Sequence, residues 1–252
     1  MTRIIMHGCN GRMGQMITGI VKEDAEAEIV AGIDVADNIE TNKYPVFTDI
    51  NACDVEADVV IDFSSAKAVD KLMDYCKKKN LPLVLCSTGL SEEQLARVKS
   101  DSADYAILKS ANMSLGINTL LKALKEVAKT LVPAGFDIEI VEQHHHNKLD
   151  APSGTALALA DSINEEFDNS FEYVYDRSQV RKKRDTNEIG ISAVRGGSIV
   201  GDHQVIFAGL DEVVTIQHTA YSRAIFAKGA VAAAKFLSGK KNGLYDMSDV
   251  IG

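Results

Sequence analysis

A glycine-studded turn between a short strand and a helix constrains this chain more than any other feature. Residues 3–7, Arg-Ile-Ile-Met-His, are dense in β-type apolar residues and run straight into Gly8-Cys9-Asn10-Gly11-Arg12-Met13-Gly14. From Gln15 to about Lys22 the apolar spacing becomes helical. Glycines in such a turn let backbone approach a diphosphate, and the helix N-terminus offers it N–H groups. Glu28 to Asp34 reads as the next strand. It ends in an acid about 20 positions beyond the last glycine, where dinucleotide sites place the carboxylate that holds a ribose hydroxyl pair. The spacing is G-x-x-G-x-x-G rather than the commoner G-x-G-x-x-G, so a purely structural turn is the competing reading. The flanking strand, the helix and Asp34 together favour a dinucleotide site.

The alternation continues through the first half. Ala57 to Phe63 is a buried-type strand, Ser64-Ser65 can cap a helix to about Asn80, and Leu83 to Cys86 is a further strand. Ser91-Glu92-Glu93-Gln94 is a capping box, and Tyr105 to Leu108 is another strand. This rhythm predicts an α/β fold, a Rossmann-like doubly wound parallel sheet. In such sheets ligands lie at the carboxyl ends of strands. Four turns fall there: the glycine loop, Phe63-Ser64-Ser65, Cys86-Ser87-Thr88-Gly89 and Ser110-Ala111-Asn112-Met113. They form the expected cofactor rim, although each serine or threonine alone is more often a helix cap.

The pattern changes after a long helix over Leu115 to Leu131, broken by Pro133-Ala134-Gly135. A strand begins at Asp137, a helix runs to about Phe167, and a polar, basic loop reaches Asn187. Strands follow at Ile189 to Arg195, Ile199 to Ala208 and Val213 to Thr219. Gly196-Gly197-Ser198 and Gly209-Leu210-Asp211 join them, turns short enough for antiparallel hairpins. The expectation is an α+β substrate/oligomerisation domain with an antiparallel (mixed) sheet over residues 115–223. The alanine-rich helix Ala224 to Leu237 is expected to return to the first domain, residues 1–114 and 224–252.

The densest chemistry lies at 137–156. Ile138 and Ile140 alternate with Glu139, and the chain then carries His144, His145, His146, Lys148 and Asp150 before Ala-Pro-Ser-Gly-Thr opens a helix. Proline fixes the chain there, and Ser153, Gly154 and Thr155 can point N–H groups at an anion. One segment thus offers a proton donor, a fixed positive charge and an anion cradle. A zinc site wants further His or Cys at defined spacings, which are missing nearby. A solvated polar loop is the bland alternative; the density of titratable groups favours catalysis.

A net charge of −9 argues against a nucleic-acid surface. The basic run Arg181-Lys182-Lys183-Arg184 reads as a solvated loop. No apolar run approaches the roughly 20 residues that span a bilayer. The first residues lack a signal-peptide layout, and Cys9, Cys53, Cys76 and Cys86 form no C-x-x-C pair. Reduced thiols in a cytoplasmic protein are expected.

These residues carry a family resemblance over nearly the whole chain. It rests on Gly-Cys-Asn-Gly-Arg-Met-Gly at 8–14, Val-Ile-Asp-Phe-Ser at 60–64, Ser-Thr-Gly at 87–89 and Ser-Ala-Asn-Met-Ser-Leu-Gly-Ile-Asn at 110–118. Glu-Gln-His-His-His-Asn-Lys-Leu-Asp-Ala-Pro-Ser-Gly-Thr-Ala at 142–156, Arg-Gly-Gly-Ser-Ile-Val-Gly-Asp-His at 195–203 and Ser-Arg at 222–223 complete it. The chain resembles the dihydrodipicolinate reductase (4-hydroxy-tetrahydrodipicolinate reductase) family of lysine and diaminopimelate synthesis. The resemblance implies hydride transfer from NADH or NADPH to a cyclic dicarboxylic imine; the ligand spacing noted above leaves no metal expected. It implies His144 as general acid/base and Lys148 as proton donor or charge stabiliser, with His145, Lys148, Ser153, Gly154 and Thr155 on the substrate's carboxylates. It assigns the cofactor to Gly8, Cys9, Asn10, Gly11, Arg12, Met13, Gly14, Asp34, Phe63, Ser64, Cys86, Ser87, Thr88, Gly89, Ser110, Ala111, Asn112 and Met113. It also implies a homotetramer built through the antiparallel sheets. Val35 stands where some members have an arginine for the 2′-phosphate of NADPH, while Arg12 could still reach that phosphate, so both nicotinamide cofactors are expected to work. Cys86 stands where a glycine is common, a change that bears on how closely backbone and cofactor approach. The competing readings are a dehydrogenase of another keto or hydroxy acid and a non-catalytic dinucleotide sensor. The histidine–lysine and Pro-Ser-Gly-Thr block disfavours the first, and the short basic run disfavours the second.

Overall fold

The structure is a computed structural model that describes residues 1–36, 42–178 and 181–252. Residues 179–180 of the expected polar loop lie outside the described residues. In chain order the elements are β1 Thr2–His7, α1 Arg12–Lys22, β2 Ala27–Ile33, β3 Val46–Phe47, β4 Val59–Asp62, α2 Ala66–Lys79, β5 Leu83–Leu85, α3 Glu92–Asp101, β6 Ala106–Leu108 and α4 Leu115–Leu131. They continue with β7 Asp137–His144, α5 Gly154–Asn164, β8 Glu172–Val174, β9 Glu188–Arg195, β10 Gly201–Ala208, β11 Val213–Ala220, α6 Ala224–Leu237, β12 Gly243–Tyr245 and α7 Met247–Ile251. The chain divides into two compact units, Met1–Leu115 with Ala224–Gly252, and Gly116–Arg223.

The first unit holds a parallel seven-stranded sheet in the order β12-β6-β5-β4-β1-β2-β3. Its central strands β4, β5 and β6 are buried on both faces, as interior strands of parallel sheets are. Ile4, Met6, Val59 and Ile61 pack with Ile17 of α1 and Ala230 and Ala234 of α6 on one side. Ile5, Val60 and Leu83 pack with Val69, Leu72 and Met73 of α2 on the other. The order reverses between β1 and β4, and ligands of such sheets bind at that reversal. Helix α1 starts at Arg12, three residues before the helical spacing shows in the sequence, because Gly11 is its N-cap and its carbonyl accepts the Gln15 N–H at 2.9 Å. The Ser91 capping box forms as the sequence predicts. The short β3, β12 and α7 were not legible, being too brief to establish a period.

The second unit is a mixed five-stranded sheet in the order β11-β10-β7-β9-β8. Gly209 closes the expected β10–β11 hairpin, its N–H donating to the Glu212 carbonyl at 2.8 Å. The Gly196-Gly197-Ser198 turn does not close a hairpin. β7 lies between β9 and β10, parallel to the first and antiparallel to the second. The cause is burial: β7 alternates half-buried and buried positions along its length, so Ile138 and Ile140 seat against Ile189 and Ile191 on one side and Val205 and Phe207 on the other. β8, inside the stretch expected to be loop, pairs parallel with β9. Helices α4 and α5 cover one face through Leu120, Leu124, Leu159 and Ile163. The other face leaves Ser192, Val194, Val213, Thr215 and Gln217 exposed.

Candidate active site

In the first unit, the carboxyl ends of β1, β2 and β4 build a candidate cofactor site. Gly8 has φ +82°, and a Cβ there would lie 2.6 Å from the Phe63 carbonyl oxygen. A Cβ at Gly14 would lie 2.3 Å from the Gly8 carbonyl oxygen. Both neighbours are backbone and cannot swing aside, so the loop packs this tightly only with glycine. The Asn10 N–H donates to Asp34 Oδ2 at 2.9 Å, which fixes the carboxylate beside the loop. A concave pocket of about 400 Å³ lies there, lined by Gly8, Gly11, Asp34, Val35, Phe63 and Ser64 among others. Glycine backbone, a helix N-terminus and a rim carboxylate suit the diphosphate and ribose of a nicotinamide dinucleotide, so the residues present fit that group.

Not every rim residue presents its side chain there. Cys9 is buried, and a Cβ on Gly32 would come within 2.6 Å of its sulfur. Burial, helped by Asp34, raises the Cys9 thiol to about 11. Met113 is buried in the core, and a Cβ on Gly229 of α6 would come 1.6 Å from its carbonyl oxygen, so α6 lies hard against the 110–113 turn. Asn112 Oδ1 accepts the Ser114 N–H at 2.8 Å and bends that turn. Ser110 is half-buried and Ala111 exposed. Met13, Phe63 and Cys86 are half-buried against the core, Ser87 is buried, and Arg12, Thr88 and Gly89 are exposed. Ser64 Oγ donates to Asp62 Oδ1 at 2.6 Å and lies 3.5 Å from Ser87 Oγ.

Beneath the rim is a pair that the sequence alone had not singled out. His7 and Asp62 end β1 and β4 at matching register, with Nδ1 and Oδ1 2.7 Å apart. Burial opposes the charge on Asp62, yet His7, Ser64 and Ser87 hold its carboxyl below the usual range. The signal was available: each is a polar residue at the end of an apolar strand.

In the second unit, the end of β7 gathers a separate cluster of titratable side chains. Glu142 and His144 are two residues apart and so point to the same, buried face. His144 Nδ1 lies 2.6 Å from Glu142 Oε2. Arg195 donates from Nη1 to Oε2 at 2.8 Å and from Nη2 to Oε1 at 2.6 Å. The Ser153 N–H donates to Oε1 at 2.9 Å. Burial works against the Glu142 charge, but these donors outweigh it and keep the carboxyl below its ordinary range. Glu142, Arg195 and His203 were not assigned roles from sequence; the alternation of 142 with 144 on one strand face was the usable sign.

Ser153 therefore differs from the expectation that its N–H is free for an anion: Glu142 already takes it. Its hydroxyl accepts the Ala156 N–H at 3.2 Å and lies 3.0 Å from His203 Nε2. The rings of His144 and His203 meet edge to face at 5.1 Å. Burial, and then His144, lowers His203 to about 4. Lys148 Nζ pairs with Asp150, and that lysine is the main cause of the lowered Asp150 carboxyl. Gly154 and Thr155 open α5, Gly154 exposed and Thr155 half-buried. His145 is half-buried, while His146 and Asn147 are exposed on the turn after β7. Among the described residues, no group of three or more His, Cys, Asp or Glu side chains is arranged to hold a metal ion.

Comparison with known proteins agrees over the whole length. The family described as dihydrodipicolinate reductase, N-terminus, matches residues 2–113, and that described as dihydrodipicolinate reductase, C-terminus, matches residues 116–251. A 4-hydroxy-tetrahydrodipicolinate reductase of Caldanaerobacter subterraneus subsp. tengcongensis is 53% identical over 251 residues, covering 100% of this chain and 98% of the relative. That of Clostridium tetani is 51% identical over 247 residues, covering 98% and 96%. A solved structure, dipicolinate-bound dihydrodipicolinate reductase from Paenisporosarcina sp. TG-14, has a TM-score of 0.82 at 24% identity with both chains fully covered, a likeness of fold.

Proposed function

The chain belongs to the dihydrodipicolinate reductase family, and we propose that His144 and Lys148 carry its chemistry. The activity is that of a 4-hydroxy-tetrahydrodipicolinate reductase of lysine and diaminopimelate synthesis, an oxidoreductase using NADH or NADPH. A bound nicotinamide supplies the hydride.

On this reading the backbone of Gly8 to Gly14, with Arg12, holds the diphosphate, and Asp34 holds the ribose. The turns at Phe63-Ser64, Cys86 to Gly89 and Ser110 to Met113 complete the cofactor rim, Cys9 and Met113 through backbone alone. Both cofactors serve, since Val35 brings no cation to a 2′-phosphate while exposed Arg12 is near the loop. His145, Lys148, Gly154 and Thr155 receive the substrate's two carboxylates, and Ser153 shapes that cradle from beneath. Reduction of a cyclic imine builds electron density towards the ring nitrogen, which Lys148 stabilises. His144 gives up the proton that completes the reduction. With Nδ1 turned to Glu142, its Nε2 is the nitrogen left to face substrate.

The observation that carries this reading is the Glu142–His144 pair at 2.6 Å beside the start of α5, an oriented imidazole next to helix N–H groups. We place the protein in the cytoplasm, which its four free cysteines support. We assign a homotetramer joined through the exposed face of the mixed sheet. The test is oxidation of NADH and of NADPH with the condensation product of aspartate semialdehyde and pyruvate. His144→Ala is expected to lower turnover roughly 10²- to 10⁴-fold. Wild-type rates in both His144→Ala and Lys148→Ala would overturn the assignment.

A further inference from the structure

We propose that Glu142 is a positioning residue that ties the proton donor and the substrate cradle into one unit, so that a single buried carboxylate sets the orientation of His144 and the place of the α5 N-terminus. The proposal rests on the reading of His144 as the acid.

Glu142 is fully buried, and its two oxygens receive four N–H groups from two strands and one helix N-cap. His144 shares its strand, Arg195 lies on β9, and Ser153 is the N-cap of α5. A carboxylate is the side chain that satisfies this set, because it is purely an acceptor. A glutamine would turn its own N–H groups towards Arg195 or Ser153. The groups facing the His144 ring are Glu142 from β7, Arg195 from β9, His203 from β10 and, through His203, Ser153. Of these, Glu142 is the anion in direct contact. It therefore fixes Nδ1 as the inward nitrogen and holds the orientation of the ring.

Gly201 of β10 makes room for the opposite nitrogen: a Cβ there would stand 3.0 Å from His144 Nε2, tighter than ordinary contact. The second arm is equally direct. Because the Ser153 N–H is bound to Glu142, moving that carboxylate moves the first turn of α5 and with it Gly154 and Thr155. Arg195 completes the clamp: its Nη2 also donates to the Asp150 carbonyl at 2.7 Å, which pins the loop that carries Lys148.

The experiment is Glu142→Gln, assayed for kcat and for separate KM values of the cyclic imine and NADH. The expected result is a kcat lower by about 10²- to 10⁴-fold, as when the residue orienting a catalytic imidazole loses its charge. KM for the cyclic imine rises, while KM for NADH stays within about twofold, because that nucleotide is assigned to the other compact unit. A kcat and an imine KM at wild-type values overturn the proposal. If Glu142→Gln does not fold, Glu142→Asp decides: it keeps the charge but loses reach, so kcat falls and imine KM rises together, and wild-type values for both sink the idea. His144→Ala is run beside them. Full activity in that variant removes the underlying reading, whereas its collapse with Glu142→Gln at wild type removes this proposal alone.

Discussion

Lys148 Nζ lies 2.7 and 2.8 Å from the two carboxylate oxygens of Asp150. The cation assigned to the substrate thus already has an internal carboxylate, and a dianionic imine must compete with it. Asp150 is well exposed, so the pair is worth at most about 1 kcal/mol. Asp150→Asn is therefore expected to lower imine KM by up to about fivefold at low salt and by less as salt screens the pair. Lys148→Ala has the opposite sign, raising KM and lowering turnover together. Steady-state kinetics at two ionic strengths checks both; an imine KM that rises in Asp150→Asn refutes the competition.

Gly14→Ala tests the cofactor loop. The new methyl would sit 2.3 Å from the Gly8 carbonyl oxygen and 2.6 Å from that of Cys9. The loop must open, at a cost of about 1–3 kcal/mol in stability, as for other overpacked sites. NADH binding, followed by fluorescence titration, should weaken at least tenfold, because the N–H groups no longer converge. Unchanged NADH affinity would show that the turn is structural only.

Val35→Arg tests cofactor choice. Val35 is 96% exposed and follows the ribose-side carboxylate, so an arginine there reaches solvent without disturbing the core. A charge-assisted contact to a 2′-phosphate adds about 1.5–3 kcal/mol. The ratio of kcat/KM for NADPH over NADH should rise about tenfold or more, and more at low salt. A ratio that stays flat would mean that Arg12 alone handles the phosphate.

What the sequence made legible follows from period and burial. β1, α1 and the strands of the doubly wound sheet are read from apolar spacing because both faces are covered and every position reports burial. β12 and β3 are three and two residues long and carry no period. The β9–β10 turn was misleading for another reason. Short glycine turns favour hairpins, but β7, distant in sequence, outcompetes the local partner because its inward isoleucines match both neighbours. The titratable residues of the site were visible as a cluster, yet their wiring was not. Ser153 reads as an anion donor until Glu142 is seen to occupy its N–H, and Arg195 arrives from 53 positions away.

His203 gives the second unit a pH dependence whose sign can be worked out. It is 4% exposed, and burial with the neighbouring His144 lowers it from 6.5 to about 4. Between those values the unfolded chain binds a proton that the native chain does not, so stability rises with pH across that window. At pH 5 the cost relative to neutrality is about 2 kcal/mol, from 1.36 kcal/mol per unit. His218, also lowered chiefly by burial, adds in the same direction. Glu142 and Asp62 titrate below their ordinary values in the fold, so their contribution is present above about pH 4.5 and is lost only as pH falls further. The interval from about 6.5 to 5 therefore isolates the histidines. Urea unfolding of wild type and His203→Leu across that interval should give a smaller slope for the variant, whatever its absolute stability. Parallel slopes would mean that His203 gains a proton in the native protein as readily as in the unfolded chain.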